Sequence, residues 1–175
     1  ASMRWPLATA ADRRFQDDVT AVRKLQNSLR VSELDGSDYD IVFLSGGWGA
    51  AYDLGQSSDL GDFVSQANAH GAVIGGVCHG PLGLLQATDI DGNPLVQGRR
   101  ITAVTDTQVR QLGIEFTPLH PENELRKAGA LFESETAFRD MFATHVVVDR
   151  NLVTGQNQNS GAETAHRMMD LLEAK

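Results

Sequence analysis

The sequence predicts a single α/β domain built on a mainly parallel sheet with helices on both faces. Three observations carry that expectation. Residues 41–44 (Ile-Val-Phe-Leu) and 72–77 (Ala-Val-Ile-Gly-Gly-Val) are short continuous apolar runs, the pattern of strands buried on both sides. Segments with helical apolar spacing stand between such runs. Glycine-rich turns follow them, and 17 glycines in 175 residues fit a chain with many strand-to-helix corners.

Taken in order, residues 11–31 place Phe15, Val19, Val22, Leu25 and Leu29 at helical spacing with charged residues between, which predicts one amphipathic helix. Residues 41–44 form the first buried strand and end in the turn Ser45-Gly46-Gly47-Trp48-Gly49. A helix is expected over 59–70, stopped by Gly71. The second strand, 72–77, delivers Cys78 to its end, and Gly80 and Pro81 fit a tight turn into a helix. Asp91-Gly92-Asn93-Pro94 marks a turn, after which 99–104 is expected to add a third strand to the sheet, closed by Thr105-Asp106. Short helices are expected over 109–112 and 122–127, with Gly113 and Gly129 as stops. Residues 145–148 and 152–154 flank Asp149-Arg150-Asn151 as a hairpin, and a last helix spans 162–172. The organisation read from this is one domain: an N-terminal segment over 1–37 and a core over 38–172. The opening Ala1-Ser2-Met3 reads either as a cloning scar or as the point where a longer chain was cut.

Hydrophobic residues at 41% and charged residues at 22% are ordinary for a globular chain, and 175 residues hold a substantial core. The net charge of −8 argues against nonspecific binding to nucleic acid or anionic membrane, leaving a small molecule or a protein as partner. No run approaches the roughly 18 apolar residues of a membrane span, and no secretory signal is visible. One cysteine excludes an internal disulfide, so the expected compartment is the reducing cytoplasm.

Ligands of parallel sheets collect beyond the carboxyl ends of the strands, where Ser45–Gly49, Cys78-His79 and Thr105-Asp106 all fall. Cys78 is the candidate nucleophile. A helix beginning just after it would lower its pKa, and His79 offers a proton partner. His79 has two candidate duties: its ring as acid/base and its backbone N–H as an oxyanion donor. Asp106 is the candidate acid that orients His79, or else a solvated turn carboxylate or helix cap. Gly46 and Gly47 lack the Gly-Lys-Ser/Thr of a phosphate loop and fit better as bare backbone facing an oxyanion. Trp48 either walls the pocket or covers the core. Asp89, Asp91 and Asn93 read as a turn rather than a calcium loop. No metal is implied, because His70, His120, His145 and His166 show no ligand spacing with one another or with Cys78. Asn157, Asn159 and Ser160 read as a cap for the last helix or as lining of the pocket.

Residues 40–47 with Asp53, residues 72–81 with their Cys-His-Gly-Pro elbow, and residues 152–157 together resemble the ThiJ/PfpI family of the class I glutamine-amidotransferase-like superfamily. The resemblance extends over 38–172 and looks closest to the branch with glyoxalase III-like and chaperone-like members. It implies a flavodoxin-like three-layer sandwich with a cysteine nucleophile, a neighbouring histidine and no cofactor. It implies conversion of methylglyoxal, a small dicarbonyl, to lactate; a peptidase or amidase using the same cysteine, or a stress chaperone or oxidant sensor, are the alternatives. Two departures stand out. The family's first strand, with a glutamate that hydrogen-bonds the cysteine, has no counterpart before Ile41, and Trp48 stands where this branch often has histidine. An uncovered edge at 41–44 would follow, so the chain is expected to form a homo-oligomer or to associate with a missing N-terminal segment.

Overall fold

The structure is a computed structural model that describes residues 10–135 and 143–175. The chain divides into two compact units, Ala1–Leu34 and Asp35–Lys175. Expectations placed on Ala1-Ser2-Met3 lie outside the described residues.

In the first unit the single helix expected over 11–31 is two helices, α1 (Ala10–Asp17) and α2 (Val19–Gln26). Asp18 breaks the run. Its backbone is extended, and its Oδ1 accepts hydrogen bonds from the N–H groups of Thr20 and Ala21 at 2.9 and 3.0 Å. A carboxylate that caps a new helix outcompetes continuation of the old one.

The second unit carries β1 (Ile41–Leu44), α3 (Ala50–Asp53), α4 (Ser58–Ala69), β2 (Val73–Val77), β3 (Arg100–Ile101), α5 (Asp106–Gln111), α6 (Pro121–Lys127), β4 (Leu131–Phe132), β5 (Val146–Asp149), β6 (Leu152–Gly155) and α7 (Gly161–Glu173). The main sheet has the order β1-β2-β6-β5. The first three strands are parallel, and β5 returns antiparallel to β6 through a hairpin with Arg150 at φ 52°.

Register assigns the faces. Val73 and Val153 pack with Met168 of α7, and Ile41 joins them from the position paired with Val73. A Cβ at Gly75 would stand 2.3 Å from the Met168 sulfur, so glycine there lets α7 lie directly on the sheet. Leu44 points the other way, paired with Gly76, and touches the space above Gly83, which Leu60 of α4 also borders. Helix α7 therefore covers one face, and α4 with the turn after Cys78 covers the other: an α/β three-layer sandwich. Each fully buried Ile74, Leu82 or Leu152 contributes about 1.5–3 kcal/mol to this core.

The expected third strand, 99–104, is not in this sheet. Only Arg100–Ile101 is strand, paired with Leu131–Phe132 in a separate two-stranded sheet. The edge of β2 that it would have taken is occupied by β6, and the Thr102 N–H turns to the Thr154 hydroxyl at 2.9 Å instead of a ladder carbonyl. The Val104 N–H still donates to the Cys78 carbonyl at 3.0 Å, so this segment ends beside the cysteine as expected. Among the described residues no helix is long and apolar enough to cross a membrane.

Candidate active site

Strand β2 is buried along its whole length and stops at Cys78. There the backbone enters the left-handed region, φ 60°, one of two non-glycine residues among those described to do so. That conformation costs of the order of 1–3 kcal/mol and persists only where surrounding bonds hold it. Here the Cys78 N–H donates to the Gly155 carbonyl at 3.1 Å, and its carbonyl receives the Val104 N–H. His79 then returns to helical backbone and caps a five-residue 3-10 turn, Gly80–Leu84.

The corner places the Cys78 Sγ 3.4 Å from Nδ1 of His79. Two backbone donors, the N–H groups of His79 and Gly47, also point at the sulfur. Gly46 makes the approach possible, because a Cβ on it would lie 2.6 Å from the Val77 carbonyl oxygen and 2.8 Å from the Cys78 Cβ. Gly47 itself has φ 115°, which L side chains rarely adopt. The sequence-derived candidates Gly46, Gly47, Cys78 and His79 thus converge. Trp48 follows them in the same turn and is 39% exposed.

The electrostatics differ from the sequence expectation. The thiol is pushed up rather than down, because burial outweighs the two N–H donors. Cys78 keeps some exposed surface, but it packs beside the apolar cluster Val104, Val109 and Ile114. The element that follows is a short 3-10 turn instead of an α-helix, with little dipole to offer. His79 is fully buried, and its pKa is lowered to about 4, first by burial and second by the charge of His120. Its Nε2 is buried without a hydrogen-bond partner.

Asp106 opens α5 directly after the capping residue Thr105, whose hydroxyl accepts from the Gln108 N–H. No hydrogen bond joins it to His79. Its Oδ1 lies 3.8 Å from Nδ1 of His120, and its N–H donates to Glu122 at 2.9 Å. His120 is the residue that sequence reasoning passed over. Its sequence spacing bears only on metal ligation, and nothing local in Leu119-His120-Pro121 shows that α6 docks on the turn after Cys78. The only signal was Pro121 at a helix start, which makes His120 a cap position.

Other sequence readings resolve simply. Asp89 accepts from the N–H groups of Asp91 and Asn93, a closed turn. Asn157 caps the 3-10 turn Gln158–Ser160 that leads into α7. Among the described residues no three His, Cys, Asp or Glu side chains converge to hold a metal ion. A partly exposed thiol, an adjacent imidazole and two inward N–H groups form a site for covalent addition to a carbonyl.

Comparison with known proteins agrees with this geometry. The DJ-1/PfpI family matches residues 12–171. Glutathione-independent glyoxalase HSP31 of Saccharomyces cerevisiae is 34% identical over 147 residues, 81% of this chain and 61% of that protein. Glyoxalase 3 of Candida albicans is 31% identical over 160 residues, 85% of this chain and 64% of that protein. The crystal structure of glyoxalase III from Candida albicans superposes with a TM-score of 0.87 at 30% identity, covering 99% of this chain and 75% of that one. The chain spans somewhat less than two thirds of the length of these two curated relatives. With the family match running through nearly the whole sequence and the elbow, glycine turn and sheet order all in place, this chain belongs to the DJ-1/PfpI family.

Proposed function

We propose that this chain is a cofactor-independent glyoxalase that converts methylglyoxal to lactate through Cys78. The observation that carries the reading is the convergence of the His79 ring and the Gly47 and His79 N–H groups on one sulfur. The relatives named as glutathione-independent glyoxalases support the choice of substrate.

The steps balance within the substrate. The Cys78 proton passes to Nδ1 of His79, and the sulfur adds to the aldehyde carbon to form a hemithioacetal. The new oxyanion takes the Gly47 and His79 N–H groups. His79 gives the thiol proton to that oxygen, forming the neutral hemithioacetal, and then, neutral again, takes the proton of the same carbon and returns it to the neighbouring carbon through an enediolate. The first carbon reaches the acyl level as the ketone becomes an alcohol, so no external oxidant or reductant is needed. Water then cleaves the lactoyl thioester, releasing lactate and restoring the thiol. A thiol whose pKa is pushed up by its surroundings gains most from a base at 3.4 Å.

A free thiol with these duties belongs in a reducing compartment, the cytoplasm. Strand β1 pairs on one side only among the described residues, and Phe43 on it is 40% exposed. We extend the reading to a further strand on that edge, supplied by a second copy or by additional polypeptide. Sedimentation of the purified chain as a stable monomer would count against it.

The test of the activity is lactate formation from methylglyoxal without glutathione. The parent forms lactate and Cys78→Ser does not, at equal circular dichroism. Equal lactate from both variants, or none from the parent, overturns the proposal.

A further inference from the structure

Val153 of β6 packs on Met168 of α7, so its neighbour Thr154 faces the opposite side of the sheet. There it joins the row Leu44–Gly76–Thr154–Val147 across the four strands and supplies the one polar side chain in it. Thr154 is fully buried, and a hydroxyl is costly to bury unless it is bonded. Its Oγ1 accepts the Thr102 N–H at 2.9 Å. The hydroxyl of Thr102 itself is buried without a partner among the described residues, so its side chain adds no second tie. Two residues on, the Val104 N–H donates to the Cys78 carbonyl at 3.0 Å, and Val104 packs with Val109 and Ile114 beside Cys78. Gly155, next to Thr154, accepts the Cys78 N–H at 3.1 Å. Two consecutive residues of β6 thus hold Cys78 from both sides: Gly155 directly at its N–H, and Thr154 through residues 102–104 at its carbonyl.

We propose that Thr154 is a positioning residue for Cys78, whose hydroxyl docks residues 102–104 and so fixes the carbonyl side of the left-handed corner. The inference rests on the reading of Cys78 as the reacting thiol. At φ 60° the corner keeps its conformation only while its surroundings hold it. Without the hydroxyl the Thr102 N–H is buried and unpaired, residues 102–104 lift toward solvent, and the Val104 bond to Cys78 opens. The Sγ and the His79 ring then lose their fixed 3.4 Å approach. Thr154 acts on the thiol through Thr102 and Val104, so its loss falls on turnover rather than on substrate binding.

The test compares Thr154→Val, which keeps the branched shape and removes the hydroxyl, with Thr154→Ser, which keeps the hydroxyl and removes a methyl group. Amide hydrogen exchange followed by NMR needs no turnover. In Thr154→Val the Val104 amide is expected to exchange about tenfold faster than in the parent, and in Thr154→Ser within about threefold of it. Lactate formation is expected to follow, with kcat about tenfold lower in Thr154→Val at a KM within about twofold, and restored in Thr154→Ser. Parental Val104 exchange in the valine variant overturns the proposal. So does a serine variant that exchanges as fast as the valine one, because packing and not the hydroxyl would then be the cause. A measurement on the parent alone covers the case of a valine variant that does not fold: the Thr102 and Val104 amides are expected to be protected together, and a Thr102 amide that exchanges as fast as those of exposed loops overturns the proposal. Lactate formation by the parent is scored separately. Equal kcat in the parent and both variants defeats the role of Thr154 alone, and the expected exchange pattern without turnover by the parent defeats the glyoxalase reading alone.

Discussion

Nδ1 of His79 lies 3.4 Å from the Sγ of Cys78, the residue directly before it in the chain. Neighbouring side chains ordinarily diverge, and they meet here because Cys78 is left-handed at φ 60° while His79 is helical. The strained backbone is therefore what brings the thiol and the imidazole together.

Strain at Cys78 predicts an inverted glycine effect. Left-handed backbone costs an L residue about 1–2 kcal/mol, more than the ordinary entropic penalty of glycine. Cys78→Gly is expected to be more stable than Cys78→Ala by about 0.5–1 kcal/mol, with neither turning over methylglyoxal. Urea unfolding of the two variants checks it, and a clearly more stable alanine variant would show the corner is unstrained.

Gly46 is expected to tolerate no side chain. Its added Cβ would meet the Val77 carbonyl oxygen at 2.6 Å and the Cys78 Cβ at 2.8 Å, both fixed by β2. Gly46→Ala is expected to lose about 1–3 kcal/mol in denaturant unfolding and to lose lactate formation with it. An alanine variant with parental stability and activity would show that the turn has slack the geometry does not reveal.

Acid stability should report on His79. The unfolded ring binds a proton below about pH 6.5, whereas the folded ring, buried beside His120, binds one only near 4. Between those values the unfolded chain holds more protons, so stability falls as pH falls through that window, by on the order of 3 kcal/mol in total. His79→Gln removes this component. Urea midpoints followed from pH 7 to 4 are expected to fall less steeply in the variant, and equal slopes would contradict the assignment.

The sequence made the central strands and the last helix legible, because 41–44 and 73–77 are apolar without interruption and 161–173 is periodic. It also brought Gly46, Gly47, Cys78 and His79 together, since each ends or follows a buried strand. What it could not show came from packing. The break at Asp18 depends on a carboxylate choosing two N–H groups over solvent. Residues 99–104 leave the main sheet because β6 had already filled the edge of β2. The upward push on the thiol comes from neighbours remote in sequence, Val104, Val109 and Ile114, and His120 meets the site only through the docking of α6.

The most direct measurement is intact-mass analysis of the protein quenched during turnover of methylglyoxal. The account predicts a transient adduct of one substrate mass at Cys78 that rises before lactate and disappears as substrate is exhausted. Lactate accumulating while Cys78 stays unmodified, or adducts confined to arginine and lysine, would contradict it.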